Sequence, residues 1–119
     1  MSNAGFRKSG KTVQLTAPSG GVVAGRVYVI GTLPVVALED KAQNLPFQGM
    51  TEGEFDLTKV GSQAWTEGAR IMWDASNNRC STATTTGFFP IGVATVAVGS
   101  GAGETIGRVR LNGVGVAAL

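Results

Sequence analysis

The chain has 119 residues, enough for one domain, and its 18 glycines, 14 valines, 12 threonines and 4 isoleucines favour strands and tight turns over helices. The net charge is only +2 and no apolar run is long enough for a membrane-spanning helix, so neither nucleic acid nor a membrane is an expected partner. Because there is no histidine and a single cysteine, Cys80, the composition excludes imidazole catalysis, histidine metal sites, an internal disulfide and a thiolate metal cage.

The N-terminal segment is basic and poor in apolar residues. Residues 1–38 carry four cations and no acid, whereas residues 39–74 carry a net charge of −4. With three cations and one large apolar residue, the first eleven residues bury too little surface to offset their ordering entropy. We therefore predict a flexible arm over residues 1–11 and a single β domain over residues 12–116. The arm is either a solvated terminus or a docking segment for an acidic protein surface, with contacts from Phe6, Arg7, Lys8 and Lys11.

Residues 5–12 read Gly-Phe-Arg-Lys-Ser-Gly-Lys-Thr and match the short pattern of a phosphate-binding P-loop. A P-loop joins a buried strand to a helix, because backbone N–H groups at that junction bind the phosphates. Only four residues precede Gly5, and residues 13–17 alternate with a period of two, which is typical of a strand. We therefore predict no nucleotide cofactor and no phosphate contact for Lys11.

Turn residues divide the rest of the chain into seven or eight short runs, a pattern typical of a compact β-sandwich or small barrel. The predicted strands cover residues 13–17, 25–30, 34–38, 54–58, 69–73, 89–98 and 105–112, with an extended edge over residues 81–86. Residues 39–48 are polar, include Pro46 and are interpreted as a loop or an irregular edge. The predicted fold class is all-β.

No group of residues forms a catalytic pattern. Glu52, Glu54 and Asp56 could supply oxygen ligands to a metal, but acids two positions apart are also what a solvent-facing strand shows. We expect no metal site, no cofactor and no enzymatic activity. Trp73 lies in a predicted strand and is expected in the core, whereas Trp65 lies in a turn region and is also a candidate interface anchor.

Several longer strings, taken in order, resemble a family of small proteins from tailed phages and prophages. They occupy residues 16–25, 53–60, 64–68, 71–74, 90–94 and 107–113, and include Gly-Glu-Phe-Asp-Leu-Thr-Lys-Val and Pro-Ile-Gly-Val-Ala. That family, formerly catalogued as a domain of unknown function, is associated with capsid cement, or decoration, proteins. The similarity extends from about residue 11 to residue 113, nearly the whole predicted domain.

The resemblance implies a non-enzymatic virion protein that binds the outer surface of the phage head and stabilises contacts between subunits of the major capsid protein. It also implies a homo-oligomer, a dimer or a trimer, on a symmetry or quasi-symmetry axis of the shell. Such a protein lies on the capsid exterior, and in the bacterial cytoplasm during assembly. The alternative is another all-β virion module, such as a head–tail or tail component.

Overall fold

The structure, a computed structural model, describes residues 9–119. Within these residues the chain forms nine β-strands and no helix, which confirms the predicted all-β class. The strands are β1 Thr12–Thr16, β2 Val27–Ile30, β3 Leu33–Ala37, β4 Pro46–Met50, β5 Glu52–Thr58, β6 Arg70–Asp74, β7 Arg79–Ser81, β8 Phe89–Ala94 and β9 Ile106–Asn112.

The strands form two antiparallel sheets, and the chain passes from one to the other at Thr51. The first sheet has the order β1-β4-β3-β2 and the second has the order β5-β9-β8-β6-β7. Only Thr51 separates β4 from β5, and its side chain is buried. The Thr51 hydroxyl donates to the carbonyl of Gly10 at 2.7 Å, and the Thr51 N–H donates to the carbonyl of Lys11 at 2.7 Å. These bonds hold the start of β1 against the corner between the sheets.

The second sheet curls until its two edge strands approach each other. Just beyond β5, Lys59 forms a parallel bridge with Cys80 of β7, and the N–H of Val60 donates to the carbonyl of Cys80 at 2.9 Å. The other neighbours in this sheet are joined by antiparallel ladders. The second sheet is therefore close to a small barrel, one of the two architectures that the sequence predicts.

Two clusters of buried side chains form the core. The larger cluster fills the interior of the second sheet and also includes Val27 and Val36 from the first sheet. Its other members are Leu57, Trp65, Ile71, Trp73, Cys80, Ile91, Ala94, Val109 and Leu111. The smaller cluster includes Val35 of β3 and Phe47 of β4. Because side chains alternate along a strand, Val35 and Val36 face opposite sides of the first sheet, which therefore contributes to both clusters.

Strand β4 is the main departure from the sequence-based prediction, which assigns residues 39–48 to a loop or an irregular edge, because β4 lies between β1 and β3 in the first sheet. Pro46 is tolerated because it is the first residue of the strand, where the missing N–H breaks no ladder in the middle of the sheet. Phe47 faces the smaller cluster and is fully buried. At Gly49 an added Cβ would lie 3.0 Å from the side chain of Val35, so glycine permits the close approach of β3 and β4.

Two boundaries also differ near the end of the chain. The strand predicted over residues 89–98 ends at Ala94, and the edge strand next to β6 is β7 at residues 79–81 rather than an edge over residues 81–86. The segment after β9 stays attached to the domain, because the Val116 N–H donates to the carbonyl of Thr32 at 2.6 Å. Leu119 likewise donates its N–H to the carbonyl of Phe88 at 2.8 Å.

Candidate functional site

A buried lysine lies beside a buried tryptophan at the point where the second sheet closes. Lys59 is 1% exposed, and its Nζ donates to the carbonyl oxygens of Val60 at 2.8 Å and Glu104 at 3.2 Å. The same ammonium group lies 5.5 Å from the centre of the Trp65 ring, within the range of a cation–π interaction. A buried charge is tolerated only when it is hydrogen-bonded, so these contacts tie the loop before β9 to the end of β5.

Trp65 is held by polar contacts at its rim as well as by the core. Its Nε1 donates to the side-chain oxygen of Gln63 at 2.9 Å, and that oxygen also accepts the N–H of Thr82 at 2.9 Å. The amide group of Gln63 in turn donates to the hydroxyl of Ser81 at 3.2 Å. The main chain of Trp65 exchanges two hydrogen bonds with Val98, of 2.9 and 3.0 Å. The turn containing Trp65 is therefore fixed to β7 and to the segment after β8.

The sequence left Trp65 open between the core and an interface, and the structure places it in the core rather than at the surface as an interface anchor. The side chain is 2% exposed and belongs to the larger core cluster, so it offers no surface to a partner. The ring turns inward because β9 has a glycine, Gly107, at the position it covers, where a Cβ would overlap the ring. Trp73, expected in the core, is also 2% exposed.

The sequence-based interpretation missed Lys59 because lysine is almost never fully buried. A signal was present in the alternation of β5. Phe55 and Leu57 point inward, and Lys59 occupies the next inward position of the same alternation. Gln63 carried no comparable signal, since its role depends on Trp65 being buried.

Cys80 lies in the same region and is fully buried. Burial raises the pKa of its thiol to about 12, because the thiolate is poorly solvated there. The reactive form of cysteine is the thiolate, so a thiol with this pKa is unreactive at neutral pH. Cys80 therefore serves as a core side chain.

We expect Cys80 in the native protein to resist the thiol reagent DTNB at pH 8, and to react fully once guanidinium has unfolded the chain. The reaction is followed by the absorbance of the released thiolate, and the unfolded sample is the control. Stoichiometric labelling of the native protein at the unfolded rate would show that the bridge between Lys59 and Cys80 opens readily.

Asp74 closes the turn between β6 and β7. Its Oδ2 accepts a hydrogen bond from the side-chain amide of Asn77 at 2.8 Å, the main cause that holds the pKa of Asp74 below its ordinary value. The N–H groups of Asn77 and Ser76 act in the same direction, as does the nearby charge of Arg79, while burial opposes them. The carboxylate is thus used by the turn itself.

The predicted docking arm is only partly described. Phe6, Arg7 and Lys8 lie outside residues 9–119. Lys11 is exposed, and its Nζ is 4.0 Å from the carboxylate of Glu52. A strand, β1, begins at Thr12, where a P-loop would need a helix. The arm therefore meets the described domain beside the corner at Thr51.

The outward face of β5 and β9 carries charges of opposite sign opposite each other. Asp56 pairs with Arg108 in the ladder, with 3.3 Å between Oδ1 and Nε, and Glu54 stands opposite Arg110. Glu54 also accepts a hydrogen bond from the hydroxyl of Thr95 at 2.8 Å. The acids considered as metal ligands thus face basic and hydroxyl groups. Within residues 9–119, no three of the acids and the cysteine are grouped closely enough to hold a metal ion.

Apolar side chains flank these charges. Val93 of β8 lies beside Arg110 of β9, and Ile106, at the start of β9, is 57% exposed. A shallow groove is lined by the apolar Val96, Val98 and Ile106 and by the charged Asp56 and Arg108. We call this outward face of β5, β8 and β9, together with the groove, the charged–apolar face. Exposed apolar groups rimmed by polar residues are typical of protein contact surfaces.

The described part of the chain, residues 9–119, has no helix long and apolar enough to span a membrane.

The chain is similar to a known protein family. The family model described as phage cement protein matches residues 7–111. No curated protein and no solved structure matches the chain. The matched region includes all of β1 to β8 and most of β9, and it agrees with the resemblance found in the sequence strings. The chain belongs to the phage cement protein family.

Proposed function

We propose that this protein binds the outer surface of a phage head and stabilises contacts between subunits of the major capsid protein, without enzymatic activity. The match to the cement family over residues 7–111 carries the proposal. Membership of that family gives the chain a structural role in association with the phage capsid. In our proposal it reaches the head in the bacterial cytoplasm, remains on the capsid exterior and acts there as a homo-oligomer.

The physical basis is linkage between binding and assembly. A ligand that binds the assembled shell but not free subunits stabilises the shell by mass action, and simultaneous contacts with several subunits strengthen this effect. Such a ligand needs a rigid adhesive surface and no nucleophile. The charged–apolar face fits this need, because its strands are held in regular ladders and the side chains of Val93, Val96 and Ile106 remain exposed.

The N-terminal arm supplies a second contact in this proposal. Arg7, Lys8 and Lys11 meet carboxylates on the capsid, and Phe6 inserts between apolar side chains. Exposed ion pairs contribute about 0–1 kcal/mol each, whereas burying a phenylalanine contributes roughly 1.5–3 kcal/mol. Phe6 is therefore expected to contribute at least as much as any one cation.

We expect deletion of residues 1–8 to weaken co-sedimentation with mature phage heads while leaving the melting temperature of the free protein nearly unchanged. The deletion keeps Gly10 and Lys11, whose carbonyls accept the hydrogen bonds of Thr51, so the described fold retains its contacts. Phe6→Ala should weaken binding at least as much as Lys8→Ala. Lys41→Ala, which removes a cation near Glu39, is the control.

The outcomes separate the alternatives. Binding to heads that is unaffected by the deletion, together with a lower melting temperature, would assign the arm to the fold and overturn the docking role. Co-sedimentation with purified tails but not with heads would overturn the head-surface proposal and favour a tail component.

A further inference from the structure

One edge of the first sheet is open among residues 9–119. β1 is the last strand of that sheet, and only β4 pairs with it. Natural edge strands are usually protected from pairing with other chains by charges, prolines or bulges. β1 has none of these: it reads Thr-Val-Gln-Leu-Thr and pairs with β4 in an unbroken register.

The hydrogen bonds to β4 determine which backbone groups β1 presents at this edge. The carbonyl of Lys11 accepts a hydrogen bond from Thr51, and the N–H of Ala17 donates to Leu45. In an antiparallel pair, alternate residues of a strand bond to the same neighbour. Residues 11, 13, 15 and 17 therefore bond toward β4. The N–H and carbonyl groups of residues 12, 14 and 16 point away from it, toward the open edge.

The sequence of β1 is symmetric about Gln14 in its pattern of side chains. Thr12 and Thr16 flank the strand, and Val13 and Leu15 lie on either side of Gln14. Val13 and Leu15 are only partly buried, and both pack against the smaller core cluster. An antiparallel copy of the same strand, related by a two-fold axis through Gln14, would place polar residues opposite polar residues and apolar opposite apolar.

We infer that β1 is a self-association surface, on which a second copy of this chain pairs its own β1 antiparallel about Gln14. Gln14 of one copy then exchanges two backbone hydrogen bonds with Gln14 of the second copy. Thr12 exchanges two more with Thr16 of the second copy, and the symmetric pair repeats them. Val13 lies opposite Leu15 of the second copy, which extends the apolar side of the first sheet across the two-fold axis. The two first sheets become one sheet of eight strands.

This inference gives a surface to the homo-oligomer proposed above, and its test does not involve capsids. A contact limited to one strand edge buries less than a standard interface, so we expect a dimer that dissociates at micromolar concentration. Sedimentation velocity over a dilution series of the purified full chain measures the monomer–dimer transition.

Charge-swap variants at Gln14 test the geometry. The Gln14 side chain is exposed, so Gln14→Lys and Gln14→Glu leave the core of the monomer unchanged. Each variant alone places like charges opposite each other across the axis, and each should shift the transition about tenfold toward monomer at low salt. Their equimolar mixture should dimerise at least as well as the parent protein. Thr84→Lys, an exposed site outside the strands, is the control for added charge and should behave as the parent.

The results show whether the protein oligomerises at all and, if it does, whether β1 is the surface that mediates the contact. If the parent oligomerises and the Gln14 variants match it, another surface mediates the contact, which overturns this inference and leaves head binding untouched. Monomeric variants whose mixture stays monomeric would likewise overturn the two-fold pairing. A parent that is monomeric at all concentrations also overturns it.

Discussion

Replacing Trp65 with alanine is expected to lower the free energy of unfolding by about 3–5 kcal/mol, the usual range for removing a buried tryptophan from a core. The indole is 2% exposed, and its removal opens a cavity against Gly107. It also removes the cation–π contact with Lys59 and the hydrogen bond that the Trp65 Nε1 donates to Gln63. Chemical denaturation followed by circular dichroism measures the change.

Two further variants make this result interpretable. Trp65→Phe retains an aromatic ring and should lose less stability than the alanine variant, because most of the apolar contact remains. Glu67→Ala, at an exposed position of the same segment, should stay within about 0.5 kcal/mol of the parent. A loss below about 1 kcal/mol for Trp65→Ala would contradict the core role. It would also revive Trp65 as an interface residue.

The clearest sequence prediction concerns β5 and β9, and its success has a simple physical cause. Each of these strands has one buried face and one exposed face. Leu57 and Val109 therefore alternate with charged residues such as Asp56 and Arg108. Alternation reveals which side chains face inward, but it does not name the partner strand. That β5 pairs with β9, about fifty residues later, is a property of the fold as a whole.

Strand β4 could not be predicted from its own sequence, because that sequence lacks the signals that identify β5 and β9. It begins with a proline and contains a glycine, two residues that local propensity places in turns. It is a strand because β1 and β3 pair with it, and because Phe47 is buried in the smaller cluster. Tertiary contacts here override the preference of the segment itself.

One hydrogen bond of the buried Lys59 also depends on a residue distant in the sequence, so it could not be predicted from local patterns. The carbonyl oxygen of Glu104, which accepts a hydrogen bond from the Lys59 ammonium group, comes from a loop 45 residues away. The sequence can show that Lys59 continues the inward-facing alternation of β5. It cannot show that carbonyl oxygens lie within hydrogen-bonding distance of the Lys59 ammonium group. For the same reason the sequence did not decide whether Trp65 lies in the core or at an interface, because its burial depends on the space that Gly107 leaves for the ring.

Replacing Gly107 with alanine is also expected to lower the free energy of unfolding, because alanine would fill the space that the Trp65 ring occupies. A Cβ at this position would overlap the six-membered ring of Trp65, and β9 is held by β5 on one side, where Gly107 stands opposite Leu57. The ring has little freedom to retreat, because its Nε1 is bonded to Gln63 and the Trp65 main chain to Val98. Overpacking of this kind typically costs about 1–3 kcal/mol, and we expect Gly107→Ala to lie at or above the upper end.

Gly103→Ala is the matched control, because a Cβ there meets open space and the backbone is outside the left-handed region. It should be neutral or slightly stabilising, since alanine lowers the entropy of the unfolded chain. Combining Gly107→Ala with Trp65→Ala should cost less than the sum of the two single changes, because the added methyl then enters the space left by the ring. Additive effects would show that Gly107 acts through the backbone of β9, and would separate its role from the packing of Trp65.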